Sequence, residues 1–299
     1  MALKSVKFTL NGQSYDLTLD AASGQYKATI SAPSTSSWGQ TDHKYQGSIT
    51  AEDAAGNKTT ATAADFPGLA LRVLEKTKPT ISVSYPTAGA YIGSNKPTIR
   101  WTVTDADSGI NKSTISVQLD GGTATTSGIA TTATTNGFTC AYTPGTALTE
   151  GAHTVKFAVS DNDGNAATAV SVAFTVDTVP PVLNVTAPTD NLVTNKAALA
   201  VTGTTNDATS SPVSVRVRVG SGSWTTATVG SNGAFSVNVS LTEGVNTVTV
   251  EATDSAGKAT TVARTVTLDT TPPTITAITL SPNPVDAGKT YVISVAVTD

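Results

Sequence analysis

One cysteine, Cys140, stands among 299 residues, so no disulfide can form within the chain. Small secreted domains often lean on such bridges; this chain must be held by packing alone. Charge is also scarce. Charged residues make up 13% of the sequence, against roughly 25% in an ordinary globular chain. The formal net charge is −4 and no basic run occurs, which argues against nucleic acid as a partner. No run of about 18 apolar residues is present, so no membrane insertion is expected. The opening residues, Met1-Ala2-Leu3-Lys4-Ser5-Val6-Lys7-Phe8, lack the apolar stretch of a secretory leader. Histidine is limited to His43 and His153, and one cysteine with two distant histidines makes a poor zinc cluster. Neither histidine stands in a recognisable triad context. Phosphate loops and dinucleotide fingerprints are missing as well. Catalysis is therefore not expected, and no cofactor is implied other than a cation discussed below.

What the chain does have is threonine, valine and alanine in abundance. Thr and Val are β-branched and suit pleated strands. Thr is also polar enough for the wet face of a sheet, where it replaces the Lys and Glu of a usual surface. The length suggests about two or three domains.

The clearest signal is internal repetition. Asp53-Ala54-Ala55-Gly56-Asn57, Asp161-Asn162-Asp163-Gly164-Asn165 and Asp254-Ser255-Ala256-Gly257-Lys258 align. Asp can fold back onto nearby amides, and Gly supplies the positive φ of a reversal. A second landmark follows each turn: Glu75-Lys76-Thr77-Lys78-Pro79, Asp177-Thr178-Val179-Pro180-Pro181 and Asp269-Thr270-Thr271-Pro272-Pro273. Its last proline recurs with steps of 102 and 92 residues, and the turn glycine with steps of 108 and 93. Both periods match one immunoglobulin-sized domain of roughly 100 residues. Proline removes backbone donors and stiffens the crossing between modules. The expected fold is all-β: tandem immunoglobulin-like β-sandwiches arranged as a semi-rigid rod.

Strand patterning agrees. Ile99, Trp101 and Val103 alternate with Arg100, Thr102 and Thr104, which predicts a half-buried strand with Trp101 inward. Phe138, Cys140 and Tyr142 alternate, as do Val213, Val215, Val217 and Val219. Val6, Phe8 and Leu10 alternate before Asn11-Gly12, a strong hairpin signal. No amphipathic helix is evident. The modules are placed at 1–76 (an N-terminal docking module), 77–178 and 179–270. Residues 271–299 begin a further, incomplete module with two strand-like runs, which cannot bury a core alone.

The run Leu241-Thr242-Glu243-Gly244-Val245-Asn246-Thr247-Val248-Thr249-Val250, followed by Ala252-Thr253-Asp254-Ser255-Ala256-Gly257, resembles bacterial Ig-like repeats. Thr149-Glu150-Gly151-Ala152-His153-Thr154-Val155 is the matching piece one module earlier. Such modules occur in surface adhesins, carbohydrate-active enzymes and phage tail proteins, so the resemblance is specific for fold and weak for function. Residues 24–33 are similar to N-terminal modules of Ig-like proteins from phages of Gram-positive bacteria. That resemblance, with no leader in view, implies a virion protein that assembles inside the cell and leaves by lysis.

Two candidate sites follow. The loops Asp105-Ala106-Asp107-Ser108-Gly109 and Asp161-Asn162-Asp163-Gly164-Asn165 place carboxylates at alternate positions beside glycine. If the loops meet, Asp105, Asp107, Asp161 and Asp163 could share calcium, which takes several oxygen ligands; the bland alternative is two polar turns. The other modules keep the turn at Asp53 and Asp254 but lack its second Asp. Among aromatics, Trp38 and Trp224 lie in loop-like stretches, where an exposed indole face could stack on a glycan; core or rim packing is the commoner fate of Trp. His153, at a strand start, is expected at the surface, and Cys140 reads as a small buried hydrophobe.

The expected function is structural and adhesive: a phage tail or tail-associated fibre protein. The N-terminal module would dock on other virion proteins in a multimeric assembly. Later modules would touch host-surface glycans weakly and many times. The alternatives are a bacterial cell-surface adhesin or stalk, or accessory modules of a carbohydrate-active enzyme.

Overall fold

A computed structural model describes residues 3–299; Met1 and Ala2, which open the leader reading, lie outside the described residues. The described residues form β-strands, with three single-turn 3₁₀ segments among them, Thr41–His43, Pro67–Leu69 and Lys112–Thr114. Among the described residues no helix is long and apolar enough to cross a membrane. Two compact units divide the chain, one ending at Val176 and one starting at Asp177.

The first unit opens with an antiparallel sheet. Leu3–Leu10 lies between Gln13–Asp16 and Tyr45–Asp53, and Lys58–Thr62 and Ala70–Leu71 both pair with Tyr45–Asp53. Asn11 and Gly12 both adopt positive φ, 48° and 77°, the geometry that a two-residue hairpin needs to follow the strand twist. Val6, Leu10 and Tyr45 are buried here, while Phe8 is half-buried. A short ribbon, Thr18–Asp20 with Gln25–Lys27, completes this part.

Two facing four-stranded sheets follow. One has the order Ile129–Thr134, Gly137–Tyr142, Ile99–Thr104, Thr80–Tyr85. The other has the order Ser116–Leu119, Gly151–Ala158, Val170–Val176, Tyr91–Ile92, the last pair being parallel. Period-two alternation decides what is inside. Ile99, Trp101 and Val103 point inward and are buried, with Trp101 registered between Cys140 and Val83. Facing them, Val155, Phe157 and Phe174 close the interior, and the Trp101 and Phe157 ring centroids lie 4.8 Å apart. Cys140 is fully enclosed, and burial pushes its thiol up to about 11, so it packs as a hydrophobe and does not react as a thiolate.

His153 corrects an expectation. It is 7% exposed rather than on the surface. Its Nδ1 lies 2.8 Å from Asp120 Oδ2 and its Nε2 2.8 Å from the Thr149 carbonyl. Two acceptors favour the imidazolium. Burial acts against the charge, but the Asp120 and Thr149 hydrogen bonds and the Asp120 charge outweigh it and raise the pKa. A raised folded pKa stabilises most below the unfolded value, about 6.5, and that gain is lost as pH climbs through the folded value. Asp120→Asn is therefore expected to destabilise the first unit more at about pH 5.5 than at about pH 9. Urea titrations of both proteins at the two pH values check this, and an equal loss at both refutes it.

The second unit contains an eight-stranded arrangement folded on itself. Val182–Ala187, Ala198–Asn206 and Ala234–Ser240 form one layer; Ser214–Val219, Gly244–Thr253, Ala259–Leu268 and Leu192–Thr194 form the other. Thr225–Val229 bridges them, pairing with Ser214–Val219 through its first half and with Ala234–Ser240 through its second. The core is aliphatic: Val201, Val215, Val217, Val248, Val250 and Val266 are all but completely enclosed, with Phe235 the one large ring among the buried members. Residues after 271 contribute the hairpin Thr274–Ser281 with Val292–Thr298, whose side chains are exposed throughout.

Candidate functional site

The three repeated turns share one device. Asp53, Asp161 and Asp254 each accept a hydrogen bond from the backbone N–H four residues on, at 2.9, 2.7 and 2.8 Å. The glycine between has φ of 89°, 93° and 82° in the three copies, a region where a side chain would be strained. In the second copy the turn meets the loop after Ile99–Thr104. Asn162 N–H donates to the Gly109 carbonyl at 3.0 Å, and Asn162 Nδ2 donates to the Ser108 carbonyl at 2.8 Å. Asp105 holds its own loop closed by accepting from the Asp107 and Gly109 amides.

The meeting loops sort the four predicted carboxylates into two pairs. Asp105 and Asp161 turn inward, where Glu75 joins them; one carboxylate oxygen from each lies within 4.8 Å of the others. Asp107 and Asp163 turn instead to Ser36. Asp107 accepts from Ser36 N at 2.9 and 3.0 Å, and Asp163 accepts from Ser36 Oγ at 2.6 Å and from Glu75 N at 3.1 Å. These bonds, with Asn165 Nδ2 on the Glu75 carbonyl at 3.2 Å, tie residues 36 and 75 to the loops of the following sandwich.

Electrostatics at the inner trio are unfavourable for three bare charges. Like charges about 4 Å apart repel by roughly 4 kcal/mol at an effective dielectric of 20. No ion pair among the described residues reaches Glu75, Asp105 or Asp161. Burial, aided by the neighbouring Glu75 charge, pushes Asp105 above the usual aspartate range. Burial acts the same way on Glu75, but Ser108 and Asp105 beside it outweigh that and leave it lowered. Asp105 is thus the member of this pair that takes up a proton first.

The second unit carries the same constellation. Asp177, Asp207 and Asp254 also place one carboxylate oxygen each within 4.8 Å of the others. Asp207 accepts from the Thr209 and Ser210 amides at 2.8 and 2.7 Å. Ser210 Oγ donates to Asp177 Oδ2 in a short bond. A pattern of alternate Asp residues does not reveal this trio, because its turn lacks the second Asp. The signal was present: Asp207-Ala208-Thr209-Ser210 repeats Asp105-Ala106-Asp107-Ser108, and Glu75 and Asp177 open the proline landmark.

The two tryptophans are half-buried. Trp38 stacks on the His43 ring, centroids 3.9 Å apart and 8° from parallel. The Trp224 ring has the Arg216 and Arg218 guanidinium groups 4.4 and 4.5 Å from its centroid, cation–π contacts that hold the indole in place. Arg216 is held in turn by Glu251 at 2.6 Å.

Paired, mostly antiparallel sheets around separate interiors, joined through proline landmarks and Asp-Gly turns, define a class: a tandem Ig-like domain protein. Residues 79–157 match the bacterial Ig domain family, and residues 181–270 match the family of glucodextranase domain B. No sequence match is found among curated proteins. Among solved structures, the chain is similar to the fibronectin(III)-like modules of Clostridium thermocellum CbhA, with 20% identity, 64% of this chain and 94% of that one covered, and a TM-score of 0.42. It is also similar to domains from titin, with 14% identity, 87% and 86% covered, and a TM-score of 0.43.

Proposed function

We propose that this chain is a non-catalytic structural and adhesive protein of a phage virion, part of a tail or tail-associated fibre. Its N-terminal module docks on other virion proteins, and the later modules present Thr-rich faces to host-surface glycans in weak, repeated contact. The observation that carries the structural role is the joint inside the first unit. Ser36 and Glu75 are bonded to Asp107 and Asp163 of the following sandwich, so position passes from one module to the next without a free hinge. What supports the virion assignment is the likeness of residues 24–33 to phage Ig-like modules. Trp38 and Trp224 keep partial exposure; with His43 packed on one ring and Arg216 and Arg218 on the other, only the uncovered parts of the two indoles are offered to a sugar.

The test is mass spectrometry of purified virions. The chain at a fixed copy number per particle is the expected result; its absence from particles overturns the reading. A second reading is favoured by the match of residues 181–270 to glucodextranase domain B: modules accessory to a carbohydrate-active enzyme. A catalytic domain encoded in the same polypeptide would favour that reading.

A further inference from the structure

We propose that the two carboxylate trios, Glu75–Asp105–Asp161 and Asp177–Asp207–Asp254, are equivalent sites for one hard divalent cation each, calcium by their chemistry. The spacing fits. Calcium binds oxygen at about 2.3–2.6 Å, so two ligands on opposite sides of an ion stand about 4.6–5.2 Å apart, and all three oxygens of each trio lie within 4.8 Å. The donor set is oxygen alone, which selects calcium or magnesium over zinc or copper.

Oxygens left without partners point the same way. Glu75 is 8% exposed, and its Oε2 is buried with no close hydrogen-bond partner. Ser108, whose amide holds the other Glu75 oxygen at 2.8 Å, is 3% exposed, and its hydroxyl turns toward the same carboxylate. In the second unit Asp254 is 6% exposed, with Oδ2 buried and unpartnered. Buried polar atoms are almost always satisfied, so lone pairs left over beside two further carboxylates, with no ion pair to Lys, Arg or His among the described residues, define a place for a cation.

Recurrence is independent support. The first acid changes from Glu75 to Asp177 between the copies, while the loop Asp-Ala-x-Ser and the turn Asp keep their places. Each trio draws one ligand from the segment ahead of the prolines, one from the loop and one from the turn. A bound ion would clamp the incoming segment to two loops of its own sandwich. The proposal does not depend on which surface or particle carries the chain.

The experiment uses the full chain, stripped with EGTA and dialysed. Equilibrium dialysis against calcium at pH 7 is expected to give two ions per chain, half-saturating below about 1 mM. Calcium is expected to raise the melting temperature, EGTA to reverse the rise, and equimolar magnesium to do less, because magnesium demands a stricter octahedron. Glu75→Gln and Asp254→Asn are each expected to reduce the count from two to one, and the double variant to reduce it to zero. Far-ultraviolet dichroism of each variant shows whether it is folded; should one unfold, the wild-type count and the other variant still decide. A wild-type count below two, a melting temperature indifferent to calcium and EGTA, or full binding by folded variants overturns the proposal.

Discussion

Phe157→Ala is expected to cost the first unit about 3–5 kcal/mol, the range for deleting a large buried ring. Phe157 is fully enclosed and meets Trp101 across the two sheets. No disulfide supports the interior, and strands on both sides are pinned by backbone ladders, so the void can collapse only in part. Urea denaturation should show a lower midpoint for the first unit, with the second unit unchanged. Trp101→Phe should cost far less. Trp101 is just as buried, but its indole Nε1 has no hydrogen-bond partner, so the substitution removes a desolvated donor along with some contact area. Equal losses for the two variants would show that the two rings contribute alike to the packing, against this expectation.

Gly203→Ala is the second large effect, and it falls on the other unit. A Cβ at Gly203 would lie 2.2 Å from the Asn184 carbonyl oxygen and 2.6 Å from the Phe235 ring. The first obstacle is backbone in the neighbouring strand Val182–Ala187, and the second is a core ring, so neither can swing away freely. Overpacking of this kind costs about 1–3 kcal/mol, and more where backbone must move. Pairing Gly203→Ala with Phe235→Leu should recover part of the loss by giving room on the ring side. No recovery would place the whole strain on Asn184.

The strands were legible because side-chain alternation has period two and needs no tertiary information. Val6 with Leu10, Ile99 with Trp101 and Val103, and Val215 with Val217 are buried on the expected faces. The Asn11-Gly12 hairpin and the three Asp-Gly turns were legible for a similar reason: their hydrogen bonds close within five residues. His153 was not. Its partner Asp120 lies 33 residues away, and nothing near His153 marks a carboxylate waiting beside the strand.

The acidic loops show where local reading ends. Alternate carboxylates in 105–107 and 161–163 are visible at once, yet neighbours in a loop point in opposite directions. Asp105 and Asp161 face inward, and Asp107 and Asp163 face Ser36. Glu75 and Asp177 lie thirty residues before Asp105 and Asp207 and far further from the turn acids Asp161 and Asp254, and were legible only as punctuation ahead of a proline. Trp224 looked like an open loop aromatic, because the Arg216 and Arg218 groups that pack on it come from the adjacent strand.

By itself, the sequence determined the all-β class, the repeat of about a hundred residues, the turn geometry and the inward face of the central strands, because each depends on neighbours a few positions apart. The tertiary structure alone decided which acids converge, that the second unit repeats the trio through Asp207, and that Ser36 seals the first joint. Those outcomes depend on which chain ends the folded sheets bring together, and distance along the sequence carries no record of that.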